Sequence, residues 1–138
     1  MFGKVLGVAA SSASFILMAA DSVEMPENSL MMIHNAWAFA IGDSDDFRKQ
    51  ADTLDKHQDA IVSIYMKRTG LEESIIREMM RIETWMDGKD ALELGFVDTI
   101  TDEVDIAARA RGFKSSFNSF PINDDVKNIV TIKILKST

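Results

Sequence analysis

Cysteine is missing from this chain, and histidine nearly so. Its 138 residues include no Cys and two His. That excludes a disulfide framework, a thiolate metal site and a cysteine nucleophile, and it leaves too few imidazoles for a His-rich metal centre. Positive charge is scarce as well. Fifteen Lys and Arg face 22 Asp and Glu, a net charge of −7, so the basic face that phosphate binding requires is absent and nucleic acid is not an expected partner. Long apolar runs are lacking too. A bilayer takes about 20 apolar residues to cross, and the runs here are shorter and interrupted, so no membrane association is expected. The expected compartment is the cytoplasm, and neither a metal nor a cofactor is expected.

What remains is an ordinary globular composition, 46% hydrophobic and 27% charged, in one domain large enough for a real core. No internal repeat is present. Residues 11–20 read as a helix, and Ser22–Met25 and Ser29–His34 as short strands either side of the Pro26 turn. Residues 35–42 are apolar and small, without a helix signal. A long helix is expected over 44–68, where Phe47, Ala51, Leu54, Ile61 and Tyr65 keep one face. Asp43 or Ser44 caps its start, Asp45 and Asp46 suit its positive end, Lys67 and Arg68 its negative end, and Gly70 supplies a left-handed stop. A second helix over 71–81 carries Ile75, Ile76, Met79 and Met80. A short helix near 88–94 leads through Gly95 into a strand over 96–100. An amphipathic stretch follows over 102–111, and Val130 to Leu135 alternates like one late strand. Much of the tail, 113–138, reads as loosely held.

The chemistry gathers around two short segments. Ser11 lies where the small residues Gly7-Val8-Ala9-Ala10 give way to a helical apolar run. His34 ends the strand-like run Met31-Met32-Ile33. A serine hydroxyl is a weak nucleophile until a base takes its proton, and neutral imidazole is the usual base near pH 7. A serine at a helix start also places the next backbone N–H, that of Ser12, at the positive end of the dipole, where an oxyanion can be held. His57, set among Lys56, Gln58 and Asp59 in the long helix, reads as a surface residue.

These segments resemble the Clp-type serine peptidases, the Clp proteolytic subunit family. Its nucleophile segment reads Gly-x-Ala-Ala-Ser and an apolar helix, then Pro-(x)-Asn-Ser, an apolar strand and Ile-His. Gly7 to Ser11, Pro26, Asn28, Ser29 and Ile33-His34 fill those places. The Pro-Glu-Asn-Ser wording at 26–29 and Glu83-Thr84-Trp85 look most like the phage and prophage members, the Clp-like head-maturation proteases. Residues 1–20 alone have the outline of a secretory signal peptide. The resemblance runs on to about Ile100, past any cleavage site, so 11–20 reads instead as a buried helix of the enzyme.

The resemblance implies an α/β fold, the Clp protease/crotonase-like superfold. It implies a serine endopeptidase with Ser11 as nucleophile, His34 as base and Ser12 N–H as an oxyanion donor. It places the triad acid just before an aromatic residue and the last helix-Gly-strand unit, where Glu83 stands. The family usually has aspartate there, and glutamate reaches about 1.3 Å further. Either acid serves in known triads, and Asp87 is the fallback. Substrate is expected to lie extended beside Asn35, Ala36, Trp37 and Ala38. The implied partners are a polypeptide substrate, further copies in a homo-oligomeric ring, and a Clp ATPase or phage capsid and portal proteins. Only ten residues precede Ser11, so the family's first strands and its upstream glycine loop are expected to be absent. Residues 1–112 then match the C-terminal two thirds of a family domain. Two other readings stay open: a non-catalytic, truncated Clp-like fragment or assembly partner, and a crotonase-fold acyl-CoA enzyme, against which the Ser-His pair counts. The strands are expected in one small mixed or parallel sheet, covered by the helices at 11–20, 44–68 and 71–81.

Overall fold

The computed structural model describes residues 1–102. The amphipathic stretch beyond Asp102, the strand expected at 130–135 and the tail 113–138 lie outside them. The described chain is mixed α/β. Its first ten residues form two short strands too brief for any periodicity to announce, β1 (Phe2–Lys4) and β2 (Val8–Ala10). Gly7 separates them at φ 120°, in a region that a side chain disfavours.

That joint divides the sheet. β1 pairs in parallel with β3 (Ser22–Pro26), whereas β2 pairs in parallel with β4 (Leu30–Ile33). β6 (Thr99–Thr101) adds to β3 in parallel, and β5 (Thr84–Met86) adds to β4 antiparallel. The result is two three-stranded sheets, ordered β1-β3-β6 and β2-β4-β5, rather than the single sheet expected. The physical reason lies in the two bends that face each other. Ser29 N–H closes the turn onto the Pro26 carbonyl at 3.0 Å, Leu30 N–H bonds the Gly7 carbonyl at 2.8 Å, and Gly7 N–H donates to the buried Ser29 Oγ at 3.2 Å. Both extended runs therefore turn together.

The strands are short, and their buried positions are mostly apolar. Val23, Met25, Met31, Ile33 and Met86 are fully buried, together with Ile76, Met79 and Met80 of α3 (Glu73–Arg81). Each such side chain contributes about 1.5–3 kcal/mol relative to exposure. Five of them are methionines, whose unbranched thioethers fill the irregular space between two small sheets.

The first helix is shorter than expected. α1 spans Ser12–Leu17, and Ser14 is its one buried residue. Beyond it the N–H groups of Met18, Ala19 and Ala20 bond carbonyls three residues back, the tighter winding that ends many helices. α2 spans Ser44–Thr69 with the expected ends. Asp43 and Asp46 form a capping box, and Gly70 stops the helix at φ 73°. Its packing differs from the expected apolar face, because Phe47 is 52% exposed and only Val62 and Tyr65 are buried. α3 begins two residues later than expected, since Leu71 N–H turns back to Thr69 Oγ1 at 3.1 Å and Glu72 is extended. α4 (Gly88–Glu93) closes the order. Arg68, near the end of α2, clamps the base of the fold: it bonds the Asp98 carboxylate and the Phe96 carbonyl, and Asp98 in turn accepts from Val23 N–H at 2.7 Å.

Candidate active site

The C-terminal ends of adjacent parallel strands deliver neighbouring residues to one edge of a sheet. β2 and β4 are such a pair, with Ala10 beside Met32. Ser11 follows β2 and His34 follows β4, and Ser11 N–H continues the ladder to the Met32 carbonyl at 3.1 Å. The two side chains meet there: Ser11 Oγ and His34 Nε2 are 2.8 Å apart.

Ser11 is held in an unusual way. It occupies the N-cap of α1, where a serine hydroxyl ordinarily accepts from the helix's first N–H groups. Here it makes no capping bond, and its backbone sits at φ 55°, ψ −123°. For a residue with a side chain such a conformation costs on the order of 1–3 kcal/mol. The turn thus directs the hydroxyl away from the helix and onto the imidazole. Ser12, the next residue, is exposed at the first helical position, where a backbone N–H has no partner within the helix.

The two candidate acids have other partners. Glu83 follows α3 at φ 55°, and one step short of it the β4–β5 ladder pairs Ile33 with Thr84. Glu83 therefore emerges at the same end of the ladder as His34. Its carboxylate accepts from Trp85 Nε1 at 3.1 Å, and among the described residues no hydrogen bond joins it to the imidazole. Asp87 is committed elsewhere, because Asp87 Oδ1 caps α4 by accepting from Asp90 N–H at 2.9 Å.

Asn35, Ala36, Trp37 and Ala38 continue from His34 without forming a strand. Asn35 N–H bonds the Met80 carbonyl at 3.1 Å, and its Oδ1 is buried without a hydrogen-bond partner. Ala36 to Ala38 line a cleft of ≈ 450 Å³ that opens beside Ser11 and His34. Its opposite wall is α2, through Gln50, Leu54, His57, Ile61 and Tyr65. His57 is exposed, as expected of a surface residue, yet it faces this cleft. The helical spacing of those five residues is the signal that could have revealed the wall, and three of them, Leu54, Ile61 and Tyr65, belong to the stripe that keeps one face of α2. The lining contains no Lys, Arg, Asp or Glu, in a chain of net charge −7. Burial pushes the Tyr65 hydroxyl up to about 12. Among the described residues no cluster of three or more His, Asp or Glu could hold a metal ion, and no helix is long and apolar enough to cross a membrane.

Comparison with known proteins identifies the family. The family model described as Clp protease matches residues 3–104. A protein of Deinococcus radiodurans named ATP-dependent Clp protease proteolytic subunit is 36% identical over 102 residues, covering 71% of this chain and 49% of that protein. Proteins of the same name from Chaetosphaeridium globosum and Hordeum vulgare are each 31% identical, covering 72% of this chain and 51% and 47% of their own lengths. The chain spans about half the length of these relatives. The matched region contains both the serine elbow and the histidine that it meets, and the chain belongs to the Clp protease family.

Proposed function

We propose that the chain acts as a Clp-type serine endopeptidase with Ser11 as nucleophile, His34 as general base and then acid, and Glu83 as the carboxylate that orients the imidazole. The observation that carries this is the 2.8 Å contact between Ser11 Oγ and His34 Nε2, made by a serine whose strained N-cap position caps nothing. In the reaction Ser11 Oγ attacks the scissile carbonyl carbon while His34 Nε2 takes its proton. The resulting oxyanion accepts from Ser12 N–H. His34 passes the proton to the departing amine, and water releases the acyl group by the reverse sequence. His34 must therefore present Nε2 as an acceptor and carry its proton on Nδ1, the nitrogen for which Glu83 is the partner. Substrate adds as an extended strand beside Asn35 to Ala38, through main-chain hydrogen bonds.

The finer reading is head maturation in a phage or prophage, with capsid or portal proteins as partners. It is supported by the Pro26-Glu27-Asn28-Ser29 and Glu83-Thr84-Trp85 segments. Rings of this chain in the cytoplasm, with or without a Clp ATPase, belong to the same proposal. One observation favours a second reading, a non-catalytic assembly partner: the Glu83 carboxylate bonds Trp85 rather than His34. Labelling with a serine-directed fluorophosphonate, together with hydrolysis of an unstructured protein, separates the two. Labelling lost in Ser11→Ala and in His34→Gln supports the peptidase; a wild-type chain that is neither labelled nor active supports the assembly partner.

A further inference from the structure

The elbow that carries Ser11 is braced from behind by two hydroxyl groups that the reaction above does not use. Ser14 is fully buried in α1, and Tyr65 of α2 is 1% exposed. Ser14 Oγ lies 2.6 Å from the Ser11 carbonyl and 2.6 Å from Tyr65 Oη. A carbonyl only accepts, so Ser14 spends its single proton on Ser11. Its contact with Tyr65 must then be made by the tyrosine proton. The chain of donors runs Tyr65 to Ser14 to Ser11. Ser14 N–H adds a second bond to the same carbonyl at 3.0 Å, so both of its lone pairs are engaged by one residue.

The peptide bond turns this into a statement about the site. The Ser11 carbonyl and the Ser12 N–H belong to a single planar trans unit and point in opposite directions. Fixing the carbonyl on the buried side aims the Ser12 N–H outward on the other. We propose that Ser14 and Tyr65 are positioning residues, which lock the Ser11–Ser12 peptide plane so that the Ser12 N–H meets the developing oxyanion and the Ser11 side chain stays on His34. The inference rests on the peptidase reading for what that N–H does, and on the geometry alone for what holds it.

Tyr65 suits the task. Its ring stacks edge-on against Phe96 at 5.6 Å, and its carbonyl accepts from Thr69 Oγ1 at 2.8 Å. With its hydroxyl pushed up to about 12, the proton that begins the relay stays in place throughout the physiological range. The brace also joins two elements that otherwise touch little, the six-residue α1 and the 26-residue α2.

The test uses Tyr65→Phe, which keeps the ring and removes only the donor, and Ser14→Ala, which removes the relay. Each is compared with the wild-type chain for the saturation constant and maximal rate of fluorophosphonate labelling at Ser11, and for the amide signals of Ser12 and the Nε2 signal of His34 in ¹⁵N NMR. Loss of one neutral hydrogen bond corresponds to a rate effect of about 3- to 10-fold. The expected result is a maximal rate lowered by that factor in both variants, an unchanged saturation constant, and displaced Ser12 amide signals. Wild-type rates with unmoved signals overturn the proposal, as does an effect confined to the saturation constant. If the wild-type chain is not labelled at all, the peptidase reading falls and the spectra decide. Displaced Ser12 and His34 signals in both variants still establish the brace, and unmoved ones remove it.

Discussion

His34 and Glu83 leave the β4–β5 ladder at the same end, each one residue beyond its last antiparallel pair, Ile33 and Thr84. The sheet thus brings acid and base to one place without yet joining them, since the Glu83 carboxylate rests on Trp85 Nε1. On the proposed mechanism, Glu83→Gln should slow Ser11 labelling by about 10²-fold or more, the scale of losing the partner of a general base. Trp85→Phe, which frees the carboxylate, should not slow it. Equal labelling of Glu83→Gln and the wild type would remove Glu83 from the site.

Asp87 gives the opposite expectation. It caps α4, so Asp87→Ala should cost about 1 kcal/mol of stability and leave the labelling rate at Ser11 unchanged. Thermal denaturation and labelling on the same samples check both halves.

The backbone at Ser11 predicts a conflict between stability and activity. Ser11→Gly and Ser11→Ala both remove the nucleophile, but only glycine relaxes the backbone at φ 55°, ψ −123°. The glycine variant should be the more stable of the two by about 1 kcal/mol or more, which in a domain of this size is a melting difference of about 3–5 °C. Equal melting temperatures would mean that the elbow stores no strain.

Acid sensitivity should centre on Asp98. The Val23 N–H and the Arg68 guanidinium beside it hold its carboxyl below the ordinary aspartate value of 3.8. A depressed value in the folded chain means that the stabilisation is fully present above 3.8 and is lost as pH falls through the folded-state value. Asp98→Asn should therefore be less stable than wild type at pH 7, with the two converging at the acid end. Urea denaturation at a series of pH values tests this, and parallel curves would contradict it.

The segment after the site exposes a row of large apolar side chains: Trp37 is 75% exposed, Phe39 88% and Ile41 89%. Such surface in one place favours association. Sedimentation of the wild-type chain is expected to show species larger than a monomer, reduced in Phe39→Asp and Ile41→Asp.

Much of this was legible in the sequence because it rests on local chemistry. The capping box at Asp43, the glycine stop at Gly70 and the apolar runs of β3 and β4 each declare themselves within a few residues. So do Ser11 and His34, through the small residues before one and the apolar strand before the other. What escaped depends on distant partners. β1, β2 and β5 are three residues each, too short for any period to register, and they exist because β3 and β4 offer edges to pair with. The split into two sheets follows from a hydrogen bond between Gly7 and Ser29. Spacing puts Tyr65 on the helix's apolar face but says nothing of its hydroxyl. Periodicity places Phe47 on the same face as Tyr65, but it cannot tell where along the helix that face meets the domain and where it overhangs a cleft.

That overhang has a mechanical consequence. α2 is anchored near its C-terminal end, at Val62, Tyr65 and Arg68, while the Gln50 to His57 portion of the cleft wall extends beyond those anchors. Gln50 lies about 22 Å along the axis from Tyr65 at 1.5 Å per residue. A tilt of about 5° at that pivot displaces the far wall by about 2 Å, roughly the difference between admitting and refusing a side chain branch, by lever arithmetic on the same rise. Anything that bears against the Gln50 end of α2 would therefore act on the width of the cleft.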